Sequence, residues 1–379
     1  MKTPLFTAIC LLALIRVPGL ASDPFSTELY LLAREPGKNL VLSPFSVSAA
    51  MAMVHAGARG ATRGEIAKAL RFDLEGEKLD ARYRDLSTQL PDAKNYDLRS
   101  ANALWAHKDF PVAPAFVSLC RSYYTAPLET VDFAQPDAAR LRINSWVEEA
   151  TARRIRELLP PGSVDPLSRL VLTNAIHFHG KWATPFRRES TKPGPFRTLQ
   201  GESVTVPMMA HSGSFRYAET GTAQMLELPY AGGRMAMLLL LPRDATGLEA
   251  LEKSLPDGLP AGAASRPVAV KLPKFQFTTS LPLTNLLNQM GIKAAFDAAR
   301  ADFSGISTAD GLALTAVLHK AFIEVNEEGT EAAAATGAII GVTSFIEPVA
   351  FTANRPFLFL IRHAATGTVL FAGRVADPR

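Results

Sequence analysis

Little in this 379-residue sequence points to covalent or catalytic chemistry. There are two cysteines, and Cys10 lies in a leader-like segment. Once that segment is removed Cys120 stands alone, and no intramolecular disulfide can form. Cys120 falls in an apolar helical stretch, which reads as a buried inert thiol. An exported chain without disulfides must hold together by core size, and a mature length of roughly 360 residues permits that. Hydrophobic residues make up 47% and charged residues 20%, which excludes a disordered chain. No run of one charge sign stands out: 40 Lys and Arg face 36 Asp and Glu, for a formal charge of +4. Bases scattered in this way do not indicate a nucleic-acid partner.

Catalytic signatures are missing as well. The sequence has no Gly-x-Ser-x-Gly elbow, no His-Glu-x-x-His pair and no dinucleotide fingerprint. Gly57-x-x-Gly60 reads as a turn, not a phosphate cradle. His177 and His179 would share one face of a strand, but no third ligand accompanies them, so neither metal nor cofactor is expected. There is also no internal repeat and no low-complexity linker.

What is present begins with residues 1–21, which have the layout of a signal peptide. Lys2 gives a positive start, Leu5 to Ile15 is almost wholly apolar, and Gly19 and Ala21 are small. Cleavage is expected after Ala21, with secretion to an extracellular or periplasmic space. The apolar run is too short to span a bilayer, which takes about 20 residues. Residues 22–379 are expected to form a single domain.

Apolar spacing predicts helices over 25–33, 44–57, 113–124, 137–159 and 283–290. Ser43 precedes Pro44 as a cap. Thr62 and Glu65 read as a capping box for a further helix through Leu70. The 137–159 helix should stop at Pro160-Pro161-Gly162. Strands are predicted over 169–178, 225–230 with 235–241 as a hairpin, 268–277, 312–326, and 357–361 with 368–374. The class is mixed, α+β, with strands concentrated in the last two-thirds, which excludes a parallel α/β barrel.

Residues 327–345 fit no core. The first half is alanine-rich, the second half carries β-branched residues, and glycines interrupt both. Composition alone reads the stretch as a surface loop or an alanine-rich helix. At a period of two, Thr330, Ala332, Ala334, Thr336, Ala338 and Ile340 share one face. No charge lies on it, and Glu331 falls on the other. Such a segment could enter a crowded sheet.

Five stretches in order resemble the serpin family. They are Asn39 to Ser46 with Met53 to Thr62, then Leu172 to Trp182, then Val325 to Glu331 with the alanines, then Phe351 to Leu360, and finally Leu370 to Val375. The resemblance covers nearly all of residues 22–379. It implies a serpin fold: three β-sheets, eight or nine helices and an exposed reactive loop at about 327–350. It also implies a protease inhibitor and no enzyme. The protease would attack the loop, form its acyl-enzyme, and be distorted as the cut loop inserts as a new strand, the strand-addition mode for which this family is an established example.

The same resemblance assigns roles. The hinge would be Glu327, Glu328, Gly329, Thr330, Glu331, Ala332, Ala333, Ala334 and Ala335. Ser43, Ser46, Asn174 and His319 would form a polar shutter where the strands part. Trp182 and Glu327 would mark the mouth that receives the loop, with Lys274 a candidate partner for Glu327. The cleaved bond would be Thr343–Ser344, with Val342–Thr343 and Phe345–Ile346 as alternatives. No Lys or Arg lies between Gly329 and Asn354, which disfavours trypsin-like targets. The expected partner is an elastase-, chymotrypsin- or subtilisin-like serine protease, with a papain-like cysteine protease also open. No nucleic acid, membrane or polyanion cofactor is expected, and the chain should be a monomer. The alternative is a non-inhibitory serpin acting as a binding or chaperone protein. Small neutral residues on the inserting face of the hinge argue for inhibition.

Overall fold

The computed structural model describes residues 23–92, 94–260, 262–329 and 347–379. The described residues contain eight α-helices. These are α1 (Pro24–Ala33), α2 (Pro44–Gly57), α3 (Gly60–Ala69), α4 (Glu77–Gln89), α5 (Pro114–Tyr124), α6 (Pro136–Ala150), α7 (Leu248–Lys253) and α8 (Leu283–Gln289). The strands are β1 (Leu40–Leu42), β2 (Tyr96–His107), β3 (Leu128–Val131), β4 (Leu170–Gly180), β5 (Lys192–Arg197), β6 (Ser203–Glu219) and β7 (Ala223–Pro229). They continue with β8 (Met235–Pro242), β9 (Ala264–Pro273), β10 (Phe275–Pro282), β11 (Leu314–Val325), β12 (Val349–Thr352), β13 (Phe357–His363) and β14 (Val369–Val375).

Two hydrogen-bonded sheets account for these strands, where three sheets were expected. One has five strands in the order β10-β11-β4-β2-β3. The other has nine, ordered β1-β14-β13-β8-β7-β6-β9-β12, with β5 also on β6. The fusion is the work of β6, 17 residues long. Along one edge it pairs first with β5 and then with β7, while β9 runs along the other edge from Met208 to Tyr217. One long strand thus joins two groups that would otherwise count separately.

Most predicted helices are where apolar spacing put them. Ser43 caps α2, its Oγ accepting from the Ser46 N–H at 3.1 Å. Three readings need correction. First, α3 starts at Gly60, so Thr62 and Glu65 form no capping box. Thr62 Oγ1 instead accepts from the Asp302 N–H, and Glu65 Oε2 from the N–H groups of Lys293 and Ala294. Second, α6 ends at Ala150, well short of residue 159. Beyond it Ala152, Arg153 and Glu157 take positive φ, and the chain becomes an irregular strap. Ile155, Leu158 and Leu159 still point inward, packing with Val171, Ala175 and Phe322 of the five-stranded sheet. That inward set mimicked helical spacing. Third, the stretch 268–277 is two strands of different sheets, β9 and β10, with Lys274 between them.

Candidate functional site

The five-stranded sheet has a seam. At its middle β11 runs parallel to β4, from Leu314 opposite Leu170 to Phe322 opposite His177. The outer neighbours, β10 and β2, are antiparallel to them. Parallel ladders have slanted hydrogen bonds and are slightly less stable per residue than antiparallel ones. A strand placed antiparallel between β4 and β11 would therefore exchange one weak pairing for two stronger ones. The β4–β11 register ends at Phe322 and His177, whereas both strands run on to Val325 and Gly180. The seam is open at that end.

At this mouth the chain reverses. The Asn326 N–H donates to the Gly329 carbonyl at 2.9 Å, and the Gly329 N–H donates back at 3.3 Å. Glu327 and Glu328 form the tip of this tight hairpin. Gly329 bridges to Lys181, just past the end of β4, so the reversed chain already lies between the two seam strands. Only glycine fits there. Its φ is +121°, and a Cβ would sit 2.2 Å from the Gly180 carbonyl oxygen and 2.6 Å from the Trp182 nitrogen.

Trp182 holds the hairpin. Its backbone N–H donates to the Glu328 carbonyl and its Nε1–H to the Asn326 carbonyl, each at 3.0 Å. The indole stacks on Tyr230 at 4.6 Å between ring centroids. Glu327 is buried, with Oε2 2.8 Å from Lys274 Nζ and Oε1 accepting from Thr191 Oγ1 at 2.8 Å. Burial alone would raise its carboxyl, but the bonds to Lys274 and Thr191 win and hold it below the ordinary range. Glu328 pairs with Arg188. A cavity of about 700 Å³ adjoins these groups and is also lined by Phe275 and Arg379.

Lower in the seam a polar row crosses three strands. Asn102 of β2 lies opposite Asn174 of β4, which lies opposite His319 of β11. All face the start of α2. The Ser43 N–H donates to His319 Nε2 at 3.1 Å, and His319 Nδ1 meets Asn174 Oδ1. An N–H donor at Nε2 requires that nitrogen to be the acceptor, so the proton sits on Nδ1 and the ring is neutral. Burial pushes its pKa down to about 3. Asn174 Nδ2 donates to the Ser46 carbonyl at 3.0 Å and to Ser46 Oγ at 2.6 Å, and also meets Asn102. Ser46 Oγ further bonds Ser100 Oγ at 3.1 Å. The structure thus brings Ser43, Ser46, Asn174 and His319 together and adds Ser100 and Asn102, which the sequence reading missed. The available signal was small polar residues at alternate positions, Ser100 and Asn102, leading into the apolar run 103–106 of the same strand. Parting β4 from β11 must break the Asn174–His319 contact.

Other expected residues divide in two. Glu327, Glu328, Gly329 and Trp182 gather at the mouth, as just described. Thr330, Glu331, Ala332 to Ala335, and Val342 to Phe345, including Thr343–Ser344, lie outside the described residues, as does the predicted leader. Among the described residues no group of three or more metal-ligand side chains occurs. His177 and His179 lie 6.2 Å apart by ring centroid on one strand face. No helix of the described residues is long and apolar enough to cross a membrane. Cys120 is buried, and that burial lifts its thiol to about 12, so it is inert.

A parallel central seam, a polar row across it and a hairpin at its mouth together make up the candidate site. The family description "Serpin (serine protease inhibitor)" matches residues 21–378, and the chain belongs to the serpin family. Its fold is the mixed α+β serpin fold, and its role is inhibition of a protease, not catalysis. Leukocyte elastase inhibitor of Bos taurus is 40% identical over 374 residues, covering 94% of this chain and 98% of the relative. Serpin B6 of Macaca fascicularis is 40% identical, covering 92% of this chain and 95% of the relative. Among solved structures, Serpin48 of the insect Tenebrio molitor superposes with a TM-score of 0.87 at 34% identity, covering 95% of this chain and 98% of the other.

Proposed function

We propose that this chain inhibits a serine endopeptidase as a suicide substrate, inserting its cut loop between β4 and β11. The observation that carries the reading is the hairpin at Asn326–Gly329, which has turned the chain back toward the seam and seated Gly329 against Lys181. As a strand, residues 330–340 would place Thr330 and alternate small residues on one face. A cation at 330 would have to be buried, at a cost of several kcal/mol, roughly. The protease supplies the chemistry. Its serine attacks the loop carbonyl, the peptide C-terminal to the bond leaves, and an ester remains. Insertion must outrun attack by water on that ester.

Thr343–Ser344 is the proposed bond, with its two neighbours as alternatives. Loop residues Ile339 to Phe345 carry no cation, which suits elastase-, chymotrypsin- or subtilisin-like enzymes. The relative named leukocyte elastase inhibitor supports an elastase-like target. Export through residues 1–21 is also proposed, on their three-part layout, and N-terminal sequencing of the mature protein tests it. The decisive experiment mixes the protein with a panel of such proteases. A detergent-resistant serpin–protease band is expected, and sequencing the released peptide fixes the bond. Thr330→Arg should convert inhibitor to substrate. Full trapping by that variant would overturn insertion as the mechanism.

A further inference from the structure

Beside the mouth lies a cleft of about 620 Å³ between β5 and the β9–β12 pair, floored by Met208 and Ala210. Lys192 and Lys271 face it from opposite walls, both exposed. Two strand spacings separate those walls, about 10 Å. Neither lysine pairs with a carboxylate among the described residues, and the lining carries one acid, Glu189. Lys181 and Arg187, on the stretch that joins β4 to β5, are two more cations with no carboxylate partner among the described residues. The cleft lining itself carries two cations against one acid.

Position gives this charge a purpose. The segment 188–192 faces the hinge on one side, through Arg188 to Glu328 and Thr191 to Glu327. On the other side it supplies Glu189, Ser190 and Lys192 to the cleft. The opposite wall includes Thr352 and Asn354, at the end of the strand where the chain returns after the reactive segment. The cleft therefore adjoins both the segment that holds Glu327 and Glu328 and the far end of the strand that follows the reactive segment. A protease bound to the reactive segment would stand on this side of the molecule. Strand addition at this edge is blocked, because Pro193 and Pro195 remove two ladder donors from β5. Side-chain charge is what the cleft has to offer.

We propose that the Lys192–Lys271 cleft is a second docking surface for the target protease and receives an acidic surface loop of that enzyme. This rests on the inhibitory reading and adds that target choice is set partly by charge outside the cleaved bond. Opposite charges across such a contact act chiefly on the association rate.

The test uses the full chain and two elastase-like proteases of matched bond preference, one with an acidic and one with a basic surface. Association rates are measured between about 0.1 M and 1 M salt, where the screening length falls from about 10 Å to about 3 Å. The acidic enzyme should associate about tenfold faster at low salt, and lose that advantage at high salt. The Lys192→Glu/Lys271→Glu variant should reverse the order of the two enzymes, with unchanged melting temperature and trapping stoichiometry. Equal rates for the two enzymes, or a salt dependence untouched by the charge reversal, would overturn the proposal. If no trapped complex forms, the inhibitory mechanism fails separately. The cleft is then still tested through kcat/KM for simple cleavage of the loop, which must show the same salt and charge dependence.

Discussion

Acidification should loosen the seam through His319. In the folded chain this ring is neutral, sealed at 1% exposure, and its pKa is pushed down to about 3 by burial. In the unfolded chain it titrates near 6.5. Between those values the unfolded state binds a proton that the native state refuses, so stability falls as pH falls. The contribution is fully present above about pH 6.5 and is lost progressively toward pH 3. At pH 5 the loss is about 2 kcal/mol, from 1.5 pH units at 1.36 kcal/mol each. For a chain of this size that corresponds to about 3 °C in melting temperature. His55 and His177, each pushed to about 4 by burial, add similar losses of their own. The His319 share is isolated by His319→Gln, which cannot titrate and can still donate toward Asn174. Melting curves of both proteins at pH 7.5 and pH 5 give the comparison. The wild type should lose about 3 °C more than the variant between these pH values. Equal losses would show that His319 is protonated in the native sheet, and the neutral-ring geometry would be wrong.

Further outcomes follow from the same seam. Asn174→Ala leaves the His319 Nδ1–H and the Ser46 groups short of partners, so the uncut protein should lose about 3 kcal/mol in denaturant melts. Gly329→Ala drives a methyl group into the Gly180 carbonyl. The hairpin should open, the melting temperature drop, and a synthetic peptide copying residues 330–343 should enter the sheet faster on native gels. Glu327→Gln keeps the Thr191 bond but removes the charge facing Lys274, and should cost about 1 kcal/mol in the same melts, since Lys274 is partly exposed.

How much the sequence revealed depended on whether the information was local. The segment that starts at Glu327 stood out because Glu-Glu-Gly followed by small residues is odd in any core, and that oddness is intrinsic to the segment. The cap at Ser43 was legible because a cap is a bond across three residues. Thr62 and Glu65 offered the same local pattern, but their partners are Asp302, Lys293 and Ala294, far along the chain. Tertiary bonds outbid the local one there. The end of α6 was hidden for a related reason. Ile155, Leu158 and Leu159 face a sheet, and a strap that buries residues at i, i+3 and i+4 cannot be told from a helix by spacing alone. Strand pairing was the least legible layer. Nothing near Lys274 says that β9 and β10 join different sheets, and nothing in β6 says that it changes partners midway. Ser100 and Asn102 were missed because β2 itself went unread, and their meaning comes only from lying in register with Asn174.

The parallel pairing of β4 with β11 also has a consequence for synthesis. Asn174 and His319, opposite each other in the sheet, stand 145 residues apart in the chain. While the ribosome makes the intervening stretch, one edge of β4 has no strand to cover it, and bare edges invite foreign strands. When the rightful occupant finally emerges it is β11, because residues 330–346 are translated only afterwards. On the proposed mechanism, order of birth thus hands the vacancy to β11 before its rival exists. A circular permutant that delivers residues 330–346 ahead of β11 would reverse that order and should fold directly into the inserted form.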